Sequence, residues 1–182
     1  MKVFSTLVGA ADLAHHLHDA RWRVFDCSFD LVHPHAGELA YREVHIPGAI
    51  YAHLERDLSG PLTGRNGRHP LPDPARFAAR LSEWGVGNDT QVVVYDDAGG
   101  TYAVRLWWML RWLGHDAVAL LDGGINAWEA AGYETSDAET KHPHAVFVPR
   151  LRPEMAVDVR YVESQSARDG VRLLDARNPQ RF

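Results

Sequence analysis

Between Gln91 and Trp128 the chain reads QVVVYDDAGGTYAVRLWWMLRWLGHDAVALLDGGINAW, and this stretch leaves few folds open. Val92, Val93, Val94 and Tyr95 are apolar without alternation, the pattern of a short strand covered on both faces. The loop Asp96-Asp97-Ala98-Gly99-Gly100 runs straight into a helix predicted over Thr101 to Leu113. Val118 to Leu121 is a second apolar strand, and Asp122-Gly123-Gly124 turns it into a helix through Trp128 closed by Gly132. Short apolar strands alternating with helices require parallel pairing, because the connecting helices must lie on the sheet's faces.

The flanks extend the pattern. Ala11, Leu13, Ala14 and Leu17 mark a helix over about Ala10 to Ala20, and Arg23 to Cys27 is a buried strand. A helical piece spans Gly37 to Glu43. His45-Ile46-Pro47-Gly48 is a turn, since Pro47 has no N–H and restricts Ile46, and a strand follows near Ala49 to Ala52. Leu58 to Pro74 is a Gly- and Pro-rich surface loop carrying Arg65, Arg68 and His69. Asp73 caps a helix with Pro74 at its first position, Phe77, Leu81 and Trp84 inward and Gly85 at its end. The fold class is therefore α/β: a doubly wound, mostly parallel sheet with helices on both faces.

Composition excludes several roles. With 182 residues, a net charge of −5 and 46% hydrophobic residues, the chain suits one full domain and offers no basic surface for nucleic acid or anionic membranes. No apolar run is long enough to span a bilayer, and the N-terminus lacks the apolar core of a secretory signal. The single cysteine, Cys27, forms no internal disulfide, which makes the cytoplasm the expected location. From Ser136 to Met155 the chain turns polar, with Pro143, Pro149 and Pro153 and no sustained period, as in a linker. Asp158 then caps a helix to about Arg168, and Val171 to Asp175 is a strand pattern. The order helix, strand, Asp repeats that of Leu13 to Asp26 at about one domain length, suggesting a duplicated architecture.

VFDCS, HIPGA, VVVYDD…GG.YA.R.WW.L…GH and LDGG..AW, in that order, resemble the rhodanese superfamily, and more narrowly the N-terminal half of the two-domain thiosulfate and 3-mercaptopyruvate sulfurtransferases. LLDARNPQRF resembles the start of the second rhodanese domain. The resemblance divides the chain into a rhodanese-like domain over 1–137, a linker over 138–157 and the beginning of a second, truncated domain over 158–182. It implies transfer of sulfane sulfur from a small anionic donor to a thiol or cyanide, through a cysteine persulfide and without a cofactor. Asp96 stands at the cysteine position and cannot form a persulfide, so the first domain's loop is degenerate and no catalytic residue is expected in this chain. Arg181 matches an arginine that binds the anionic donor in the family.

Other candidates weigh less. Cys27 ends an apolar strand, where a thiol is usually a small core residue. The groups His15/His16/His18, His33-Pro34-His35 and His142-Pro143-His144 lack zinc-site spacing, so no metal is expected. An aspartyl phosphotransferase would need a second Asp two positions on, where Ala98 and Gly99 stand. The 101–113 helix, apolar nearly all round, invites a partner on Trp107, Trp108 and Trp112: the missing second domain, or, in the alternative reading as a non-catalytic interaction module, another protein.

Overall fold

The computed structural model describes residues 3–166 and 168–176, and the chain divides after Leu151 into two units. In the first, β1 (Leu7–Val8), β2 (Trp22–Asp26), β3 (Ile50–Tyr51), β4 (Gln91–Tyr95) and β5 (Val118–Leu121) form a five-stranded sheet in the order β1-β5-β4-β2-β3. Every pairing is parallel, with Trp22 to Asp26 alongside Gln91 to Tyr95 at the centre. The helices are α1 (Ala10–His16), α2 (Ala36–Glu43), α3 (Pro74–Glu83), α4 (Ala103–Trp112) and α5 (Gly124–Ala130).

Strand alternation sorts these helices onto two faces. Val24, Val93, Tyr95, Ala119 and Leu121 pack in one cluster with Leu13 of α1, Tyr41 of α2 and Trp128 of α5. Phe25, Val92 and Val94 point the other way, where Phe25 meets the Trp84 ring edge-on at 5.2 Å beyond α3. There the buried Phe77 and Leu81 of α3 and Leu106, Met109 and Leu110 of α4 complete the second layer. The doubly wound reading holds.

Local chemistry sets the ends. Asp73 accepts the Arg76 N–H at 2.9 Å and Pro74 takes the first position of α3, as its sequence requires. Helix α1 stops at His16, short of the expected Ala20: Asp19 accepts the Arg21 N–H at 2.9 Å, turning the chain, and His16 stacks on Trp22 at 4.4 Å. Strand β1 was not foreseen. It is held through Gln91, whose side chain accepts the Phe4 N–H at 2.9 Å and donates to the Phe4 carbonyl at 2.8 Å.

Helix α4 runs from Ala103 rather than Thr101, and its aromatic rim is partly covered within the chain, with Trp107 and Trp108 half-buried and Trp112 buried. The Trp107 indole donates to the Ser5 carbonyl at 3.0 Å, Arg111 lies 4.9 Å above the Trp107 ring, and Trp108 stacks on Trp112. Val104 remains exposed.

The polar stretch after Ser136 is not loose over its first part. Ser136 and His45 exchange backbone bonds, and the fully buried His45 ring contacts the Tyr41 and Ala138 carbonyls. Further on, Phe147 is buried beside His115, Ala145 donates to the Ser82 carbonyl, Phe147 donates to the Ser82 hydroxyl and Arg150 donates to the Leu113 carbonyl. Residues 136–150 thus form a strap across the ends of α3 and α4.

In the second unit Asp158 caps α6 (Val159–Ser166) by accepting the Tyr161 N–H at 2.8 Å, as expected, after a 3₁₀ turn over Pro153–Met155. The expected strand over Val171 to Asp175 is not formed. None of the described residues of this unit is buried. An apolar run becomes a strand only beside another, and the described residues of this unit include no strand.

Phe147 makes the strap part of the core. Phe147→Ala is expected to lower the stability of the folded chain by about 3 kcal/mol, read as an earlier midpoint in urea unfolding; a midpoint equal to the parent's would show that the strap is only draped on the surface.

Candidate functional site

In open parallel sheets the strand carboxyl ends gather the loops that hold ligands. Here these ends carry Asp26, Cys27, His53, Asp96 and the loop between β4 and α4. The Asp96 side chain, 1% exposed, turns back into its own loop. One oxygen accepts the N–H groups of Ala98 at 2.9 Å and Gly100 at 2.7 Å. The other accepts those of Tyr102 at 2.7 Å and Ala103 at 2.8 Å. Four backbone donors, two of them opening α4, thus converge on one carboxylate, and the helix dipole favours the negative charge.

The loop's shape needs glycine where it is tightest. Gly100, at φ +88°, aims its N–H at the carboxylate. At Gly124, φ +59°, the start of α5 lies against the Asp96 carbonyl so closely that a side-chain carbon would collide with it, and Ile125 donates to that carbonyl at 3.3 Å. Asp97, the second carboxylate of the loop, points to solvent and takes no part in the cradle. A hollow of about 620 Å³ lies along the β3 edge, lined by Tyr51, Trp84 and Arg80 among others; Asp96 is not among them. The cradle has its own anion.

The neighbouring acid and thiol are buried. Asp26 is 3% exposed and accepts the Ser28 N–H at 2.8 Å. Burial raises its carboxyl above the usual range, against the lowering effect of the bonds from Ser28 and Tyr95. Cys27 is 1% exposed, and burial, with the charges of Asp26, Asp96 and Asp57 adding, pushes its thiol well up. It is the opposite of an activated thiolate.

At the mouth of this end, the Phe29 ring touches His53 at 5.3 Å, Tyr102 at 5.7 Å and His69 at 6.4 Å, each edge-on. His69 is only 16% exposed in its side chain, and its Nε2 lies 3.3 Å from a Glu55 oxygen. This histidine–carboxylate pair was missed. Its members lie 14 residues apart in stretches that read as loop, and the only signal was His69 beside Arg65 and Arg68. Those two arginines remain exposed, and Arg68 donates to the Leu31 carbonyl at 2.8 Å.

The histidine groups behave differently from one another. His35, Glu38 and His53 bring ligand-type atoms within 4.8 Å of one another, a cluster drawn from distant segments. The donors are already committed, however. His53 Nδ1 accepts from the Glu55 and Arg56 amides, which leaves its other nitrogen protonated, and Glu38 binds Arg42 at 2.9 Å and Arg56 at 3.2 Å. His142 contacts the Gly48 carbonyl and burial lowers its pKa, while His144 is exposed. Arg181 lies outside the described residues. No helix among the described residues is long and apolar enough to cross a membrane.

The parallel five-stranded sheet with helices on both faces, and a glycine loop closed on a carboxylate between β4 and α4, define a doubly wound α/β domain. Residues 9–131 match the rhodanese-like domain, and the chain belongs to the rhodanese family. It is 46% identical over 178 residues to a probable 3-mercaptopyruvate sulfurtransferase of Pseudomonas aeruginosa, covering 97% of this chain and 63% of that protein. It is 36% identical to a putative thiosulfate sulfurtransferase of Mycobacterium tuberculosis, covering 90% of this chain and 55% of that one. The crystal structure of SseA, a 3-mercaptopyruvate sulfotransferase of Escherichia coli, superposes with a TM-score of 0.85 at 32% identity, over 98% of this chain and 68% of that one. The chain thus spans between about half and two thirds of the length of these relatives.

Two outcomes test the electrostatics of this end. Asp96→Asn keeps the size but leaves two amides without an acceptor, so stability should fall by about 2–4 kcal/mol; a loss below the error of a urea titration would refute the cradle. For Asp26 the sign is reversed. Its folded carboxyl binds its proton more tightly than the unfolded one, so its charged form costs stability at neutral pH. That cost is fully present above the folded pKa and fades as pH falls through it toward the unfolded value. Asp26→Asn should therefore stabilise the chain at pH 7, with the gain shrinking on acidification. A gain that grows toward low pH would contradict the assignment.

Proposed function

We propose that this chain is the first domain, with the opening of the second, of a two-domain sulfurtransferase. The intact protein would move sulfane sulfur from a small anionic donor, thiosulfate or 3-mercaptopyruvate, to a thiol or cyanide. The observation that carries the reading is Asp96. By the resemblance it stands at the position of the family's cysteine, and its carboxylate accepts the N–H groups of Ala98, Gly100, Tyr102 and Ala103.

The chemistry needs a soft nucleophile. A thiolate attacks the outer sulfur of thiosulfate, breaking its S–S bond and releasing sulfite, or the thiol sulfur of 3-mercaptopyruvate, breaking its C–S bond so that the electron pair leaves on carbon as the enolate, which takes a proton to become pyruvate. The resulting persulfide gives its outer sulfur to the acceptor and returns to the thiolate. A carboxylate cannot carry that sulfur, and Cys27 is buried and held as the thiol. The working cysteine therefore belongs to the equivalent loop of the second domain, which the helix, LLDAR run and Arg181 segment begin. Arg181, with its fixed fork of donors, would hold the anionic end of the donor there. The lengths of the relatives support the same division. A single buried thiol fits a reducing cytoplasm.

The expected result is no turnover of thiosulfate or 3-mercaptopyruvate with cyanide by residues 1–182, and turnover by a protein extended to the relatives' length that is lost when the second-domain cysteine becomes serine. Substantial activity of the 182-residue chain that survives Cys27→Ala would overturn the proposal.

A further inference from the structure

Arg105 leaves the first turn of α4 and reaches across to both ends of the 58–70 loop. Its Nε and Nη2 donate to the Leu58 carbonyl at 3.0 and 2.8 Å. Nη2 also lies 3.1 Å from the carbonyls of His69 and Pro70, and 3.5 Å from the Ser59 hydroxyl. Leu58 and Ser59 enter the loop; His69 and Pro70 leave it. Gly60 closes the same neck by donating to the Pro70 carbonyl at 3.0 Å. Between these ends residues 61–68 are exposed, with left-handed glycines at 64 and 67. Closed ends and an exposed tip make this an Ω-type loop.

We propose that Arg105 is a positioning residue whose guanidinium closes the neck of the 58–70 loop and so sets where His69 stands at the carboxyl end of the sheet. The guanidinium suits the task. Its fork offers several donors in fixed directions to carbonyls that converge at the neck, where Gly60 supplies one further donor to Pro70. Burial lowers the Arg105 pKa, and no carboxylate is among the partners named above. Its hydrogen bonds go to the loop's backbone, so what it fixes is the path of the chain. The remaining restraints on His69 are weak ones, the Glu55 oxygen at 3.3 Å and the edge of Phe29 at 6.4 Å. Neither holds the backbone; apart from Arg105, the neck is joined by the Gly60 bond, and the tip is tied to the Leu31 carbonyl by the exposed Arg68 side chain at 2.8 Å. The inference rests on the sulfurtransferase reading only for the loop's purpose at the site mouth. Its test needs no sulfur transfer, so the two can fail separately.

The test uses the 182-residue chain as Arg105→Met, which keeps the stem and removes the donors, and as Arg105→Lys, which keeps the charge without the fork. Two readouts are taken below the unfolding temperature: trypsin cleavage after Arg65 and Arg68, and the ring NMR signals of His69 with those of buried His115 as a core reference. Local opening should raise cleavage by about tenfold or more in Arg105→Met and by less in Arg105→Lys. The His69 signals should move toward those of a solvated histidine while those of His115 stay. Cleavage within about twofold of the parent in both variants, with His69 unmoved, overturns the proposal. So does a joint shift of His69 and His115, which would mean that Arg105 supports the whole fold and not the loop. Should Arg105→Met fail to fold, Arg105→Lys alone decides by the same criteria.

Discussion

One carboxylate with four amide donors organises the carboxyl end of this sheet. Asp96 ties Ala98 and Gly100 of the loop to Tyr102 and Ala103 at the head of α4, so strand, loop and helix share one charge. Its backbone carbonyl receives Ile125, which docks the head of α5 on the same residue. Two helices on opposite faces of the sheet are thus referenced to a single position. These bonds hold the heads of both helices to the end of β4.

The reach of each interaction along the chain decides what the sequence could and could not reveal. VVVY, the Asp73-Pro74 cap and the LDGG turn are local signals, decided within a few residues, and the structure realises them. The two-residue β1 and the early end of α1 depend on Gln91 and on an Asp19 turn, partners that no period displays. The Asp96 position was legible from the motif, but its four bonds were not, because N–H directions follow from the backbone at Gly99 and Gly100. Glu55 and His69 meet only because Arg105 joins the ends of a loop, so composition showed solvated side chains where the fold makes a pair.

The strap shows the same rule in reverse. Polar composition and prolines between Ser136 and Arg150 read as a tether. Yet one aromatic in that stretch, Phe147, is 5% exposed, while Val146 and Val148 beside it are 73% and 57% exposed. An extended segment alternates its side chains, so a single inward position suffices to dock it. The backbone then pairs with Ser82, Asn88 and Leu113 at the ends of α3 and α4. Low average hydrophobicity does not distinguish a free linker from a strap with one anchor.

The two LLDAR-like runs make the point sharpest. Val24 and Phe25 in β2 are 4% and 0% exposed, whereas Leu173 and Leu174 at the matching place in the second unit are 75% and 86% exposed. Their propensities are alike and each follows a helix, so local preference cannot account for the difference. What separates them is neighbours: β2 lies between β3 and β4, each supplying hydrogen bonds and apolar contact. The second run has no strand beside it within its own unit among the described residues. Strand identity here is a property of the assembled sheet, and the pattern VFD or LLD specifies only which residues are ready to join one.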